Sequence, residues 1–124
     1  MAQTPARFVQ EQGVIDYTPV SAVTAGDVVL IGTVPAIAAN DIAASSPGSV
    51  AIDGIFDVPK NSDSWSAGDA VYWDTNEDPV VGTAGTGAAS TTSSGNNLMG
   101  FATKDAASGD TYVRVRLTPY VPAA

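Results

Sequence analysis

The residues able to do chemistry in this chain are thirteen carboxylates, five cationic side chains and a large set of hydroxyls, with no His and no Cys. Asp69 and Asp74 bracket the aromatic run Val71-Tyr72-Trp73, and Trp65 stands just upstream. Two acids about 5 to 9.5 Å apart beside a sugar platform would suit glycoside hydrolysis. The same Trp rings without the acids would suit a carbohydrate-binding module. Turn aspartates and core aromatics account for these positions without any substrate. Serine and threonine nucleophiles have no His to activate them, and no Ser-x-x-Lys pair replaces it, so triad hydrolysis is excluded.

Asp74-Thr75-Asn76-Glu77-Asp78 opens like a calcium loop, but Pro79 stands where that loop needs Gly, and Gly85 stands where it needs a bidentate Glu. Gly82, Gly85 and Gly87 lack the Lys-Ser/Thr and the following helix of a phosphate cradle. The sequence therefore predicts no enzyme, no cofactor and no metal site. The formal charge of -8 and the scatter of Arg7, Lys60, Lys104, Arg114 and Arg116 oppose nucleic-acid binding, which needs clustered bases. No apolar run approaches the roughly 20 residues that span a bilayer, and no signal peptide opens the chain. The absence of Cys fits folding in a reducing cytoplasm.

The elements that must position these residues announce themselves as repeated phrases. Thr24-Ala25-Gly26-Asp27, Ser66-Ala67-Gly68-Asp69 and Ala107-Ser108-Gly109-Asp110 each precede an apolar or aromatic run, with their glycines 42 and 41 residues apart. Gly and Asp suit tight turns, and the residues that follow suit strands. Expected strands are Val14 to Tyr17, Val28 to Ile31 near the sheet centre, Val34 to Ala38 after a bend, one long segment from Val50 to Val58, the run from Ala70 to Asp74, and Leu98 to Ala102. Val80-Val81 is expected to return as a hairpin partner of the aromatic run. In the last strand, Tyr112 to Leu117, Val113, Val115 and Leu117 share one face, and Tyr112, Arg114 and Arg116 share the other.

Lys60 to Ser64 reads as a polar loop. Residues 82–97, without one large apolar side chain, read as a flexible exposed loop. No 3.6-residue periodicity appears. The fold class is mainly β, a compact small sandwich or barrel-like domain over 14–118. An extended N-terminal arm over 1–13 carries Phe8 and Val9, and a short tail occupies 119–124. Arg114 and Arg116 are the one local positive feature, paired with nearby Asp residues or with a neighbouring subunit. Phe8, Val9, Arg114 and Arg116 are the candidate interface residues.

The ordered set Thr24-Ala25-Gly26-Asp27-Val28-Val29-Leu30-Ile31-Gly32, Gly54-Ile55-Phe56-Asp57-Val58-Pro59-Lys60, Trp65 to Asp74, Leu98-Met99-Gly100-Phe101-Ala102, Ser108-Gly109-Asp110 and Arg114-Val115-Arg116-Leu117 resembles the capsid cement, or decoration, proteins of tailed bacteriophages. The resemblance covers most of the chain. It implies a non-enzymatic virion protein, made in the host cytoplasm, that binds the outer head surface and bridges major capsid protein subunits. A homotrimer is the expected assembly, with a homodimer as the alternative. A carbohydrate-binding or head-fibre base module on the virion surface is the rival function.

Overall fold

The computed structural model describes residues 13–117. Nine strands form: β1 (Val14–Tyr17), β2 (Val28–Ile31), β3 (Val34–Ala38), β4 (Gly48–Ala51), β5 (Gly54–Pro59), β6 (Ala70–Asp74), β7 (Ala88–Ser90), β8 (Asn97–Ala102) and β9 (Tyr112–Leu117). They make two antiparallel sheets, β1-β4-β3-β2 and β5-β9-β8-β6-β7. Among the described residues there is no helix. The mainly β expectation holds, in its two-sheet form.

The main core lies between the sheets. Val58, Trp65, Val71, Trp73, Met99, Val113, Val115 and Leu117 meet Ile37 of the first sheet, with Val28 and Leu30 packed alongside. Strand β9 alternates as its sequence demands: Val113, Val115 and Leu117 are buried, whereas Tyr112, Arg114 and Arg116 face outward. A second, smaller cluster occupies the opposite face of the first sheet. There Ala36, Ile42 and Val50 are buried, with Ile15, Tyr17, Val23, Val29, Ile31 and Ile52 half-buried around them.

The Gly-Asp phrases fold as expected. Asp27 N–H donates to Thr24 O (3.0 Å) while Thr24 N–H donates to Asp27 Oδ2 (2.9 Å). Asp69 with Ser66, and Asp110 with Ala107, make the same two bonds. Gly26 and Gly68 adopt φ of 90° and 93°, which suits the third position of a type II turn and favours glycine there.

The first two phrases head equivalent units. Val23 pairs with Ile42 as Trp65 pairs with Ala106, and Ala25 N–H donates to Asp41 Oδ1 as Ala67 N–H donates to Asp105 Oδ1, both at 2.9 Å. Gly26 N–H donates to Ala38 O as Gly68 N–H donates to Ala102 O. Strand order β1-β4-β3-β2 is repeated as β5-β9-β8-β6, with β7 added at the edge. The third phrase, 107–110, occupies the place of 43–46 within the first unit, where Ser46 N–H donates to Ala43 O. The threefold spacing thus conceals a twofold duplication.

Five expectations need correction. β2 is an edge strand rather than a central one; its apolar residues on both faces are explained by the two clusters it touches. Pro35 lies inside β3 opposite Leu30, and the chain reverses at Gly32-Thr33 instead. The segment 50–58 is two strands in different sheets, parted at Asp53-Gly54, where Gly54 has φ 108°.

Val80-Val81 forms no strand. Its expected place beside β6 is taken by β7, whose Ala88, Ala89 and Ser90 are almost fully buried. The loop expected over 82–97 is therefore wrong at its centre. Small residues are required there because the Trp73 ring lies flush against the chain; a Cβ on Gly87 would stand 2.6 Å from Trp73 Cζ2.

The polar loop after β5 is a loop as expected, with its first two residues, Lys60 and Asn61, buried. Lys60 is fully buried, its Nζ donating to Ser108 O (3.2 Å) and Asp110 O (3.1 Å) and lying 5.7 Å from the Trp65 ring centre. Burial pulls its ammonium below the ordinary lysine value of 10.5. Asn61 N–H donates to Ala89 O, and Asp63 accepts from Thr91 N–H (3.0 Å) and Thr91 Oγ1 (2.8 Å), fastening β7 to this loop.

Candidate functional site

The outward face of the second sheet gathers the exposed side chains with most to offer a partner. β9 runs between β5 and β8, so Arg116 stands opposite Ile55 on one side and Phe101 on the other. Arg114 stands opposite Asp57, and Tyr112 opposite Pro59. Ile55, Tyr112 and Phe101 are 59%, 55% and 38% exposed, a concentration of large apolar surface on one face.

The two arginines are oriented by aspartates. Arg114 grips Asp57 with a fork, Nε to Oδ1 at 2.9 Å and Nη2 to Oδ2 at 3.1 Å. Arg116 places both Nε (3.2 Å) and Nη2 (3.0 Å) on Asp53 Oδ1. The Arg114 fork holds the Asp57 carboxyl below its ordinary range and raises the guanidinium in return. Asp53 is lowered first by the Gly54 N–H and then by Arg116. All four side chains remain nearly half exposed, so these pairs add little to fold stability and leave oriented guanidinium planes at the surface.

Of the sequence candidates, the fold brings Arg114 and Arg116 together on this face, and Phe8 and Val9 lie outside the described residues. Ile55, Phe101 and the partner aspartates Asp53 and Asp57 were missed. Their signal was the alternation Ile55/Asp57 against Phe56/Val58, which becomes legible once the strand is started at Gly54.

The chemical alternatives lose their residues. Trp65 and Trp73 are 3% and 7% exposed, so neither ring offers a stacking platform. Asp69 is engaged by Ser66 N–H, and Asp74 by Asn76 N–H. A cleft of about 550 Å³ runs between residues 17–29 and 79–87, with Asp27 as the one acid in its lining, where glycoside hydrolysis needs two. In the calcium-like loop, Asp78 accepts from Gly85 N–H and Glu77 from Asn61 Nδ2, so these carboxylates tie down their own loops. Among the described residues no group of three metal-ligating side chains converges. What remains is a face of arginine planes and exposed apolar side chains, the composition of protein contact surfaces.

A family model described as phage cement protein matches residues 9–117. The chain belongs to the phage cement protein family. Family membership makes this cement protein a structural component of a phage capsid. The match begins at Val9 and ends at Leu117, so it includes both arginines and all nine strands. No curated protein and no solved structure matches the chain.

Proposed function

We propose that this cement protein binds the outer surface of a phage head and bridges neighbouring major capsid protein subunits, stabilising the mature shell without catalysing a reaction. The observation that carries the reading is the cement family match across both repeats. The outward face of Ile55, Phe101, Tyr112, Arg114 and Arg116 supports it as a contact surface. An acidic chain suits the outside of a head better than its DNA-filled interior.

In this reading 14–118 is the unit that sits on the lattice, while the arm over 1–13 adds contacts through Phe8 and Val9. The protein acts as a homooligomer, a trimer in the first instance, and takes its place after synthesis in the host cytoplasm. Many modest contacts repeated over a shell would resist internal pressure by multivalency.

The test is shell survival. Heads lacking the protein, heated or osmotically shocked with and without it added back, should retain DNA to a higher temperature when it is present. Equal DNA release in both samples would refute the stabilising role.

A further inference from the structure

The duplication makes the two sheets comparable residue by residue, and the comparison exposes an unmatched face. The turn and pairing equivalences align Val29 with Val71, Ile31 with Trp73, Val23 with Trp65, and Tyr17 with Val58. In the second repeat these four positions are 0%, 7%, 3% and 1% exposed, because the first sheet covers them with Val28, Leu30 and Ile37. In the first repeat the same positions are only half-buried, since among the described residues no sheet lies over them.

The covering residues have counterparts too. Val28, Leu30 and Ile37 align with Ala70, Tyr72 and Phe101, which stand on the outward face of the second sheet beside Arg116 and Ile55. Each repeat therefore has one face shaped to be covered and one shaped to cover. Within the chain, one such pair is joined and one of each face is left over.

We infer that the half-buried face of the first sheet is the docking site for a second copy of this chain, which seats the outward face of its second sheet there. The contact repeats the internal sheet-on-sheet packing between molecules. It is head-to-tail, so copies close into a ring when the rotation between them allows, and three copies would give a ring of six equivalent layers. The inference rests on the duplication and not on the capsid role, and its test needs no heads.

Sedimentation velocity of the full chain at micromolar concentration should show an oligomer. Phe101→Glu, on the covering face, and Ile31→Lys, on the covered face, should each sediment as monomers with unchanged circular dichroism. Mixed in equal amounts, they should form a heterodimer, because each retains the one good face the other lacks. Tyr17→Lys, at a strand end, replaces Ile31→Lys if the latter fails to fold. A monomeric parent protein, a folded variant that still oligomerises as the parent does, or two folded variants that stay monomeric when mixed would each overturn the inference.

Discussion

Lys60 illustrates how a single side chain can be both packing and cap. Its side chain is fully buried, and its ammonium, over the Trp65 ring, closes the turn at 108–110 through two carbonyls. Lys60→Ala removes both contributions and should cost about 2 to 4 kcal/mol, the range for emptying a core position of this size. Lys60→Met restores the stem but not the donor, and should cost only about 1 kcal/mol, the net worth of the lost hydrogen bonding. Urea midpoints of the two variants measure the difference.

Asp63 gives the residue scale its pH dependence. The Thr91 N–H, then the Thr91 hydroxyl, Asn61 and Ser90, hold its carboxyl below the ordinary aspartate value of 3.8, against a smaller opposing effect of burial. A folded value below the unfolded one means that the carboxylate stabilises the fold fully above 3.8 and loses this contribution as pH falls through the lower folded value. Melting temperature should therefore fall on the acid side as Asp63 is protonated. Asp63→Asn should melt lower at pH 7 and show a flatter acid limb.

At the scale of elements, the Asp-closed turns are interchangeable parts. Asp27, Asp69 and Asp110 each accept one N–H three residues back, with near-identical lengths of 2.9, 2.8 and 2.9 Å. Alanine at each site should cost about 1 kcal/mol by loss of that charge-assisted bond. Three equal shifts in the urea midpoint would confirm a common device.

These turns and the strands they launch were legible because Gly-Asp chemistry and alternation are local signals. Tyr112 to Leu117 was read with the correct faces for that reason. β7 was not legible, since Ala88-Ala89-Ser90 has no hydrophobic contrast, and its burial is imposed by Trp73 and the Asn61–Asp63 loop from elsewhere in the chain. The split of 50–58 failed similarly: Asp53-Gly54 turns within an otherwise apolar run, and only pairing with two different sheets reveals it. On the outward face of the second sheet, Arg114 and Arg116 were legible as cations on one face. Their neighbours Ile55 and Phe101 depend on register across three strands, which no local pattern specifies.

At the scale of the whole molecule, duplication explains why so small a chain can be built from short strands. Each repeat alone leaves an apolar face, and placing one on the other buries the larger core. The face still half-covered, and the outward face bearing Arg114 and Arg116, are the surfaces proposed above for assembly. The most direct measurement of the proposed capsid role is cosedimentation of the purified protein with heads of its source phage that lack it, comparing immature and expanded shells. Saturable binding to expanded shells, at a fixed copy number per capsid subunit, is the predicted result. Failure to bind either shell would contradict the account.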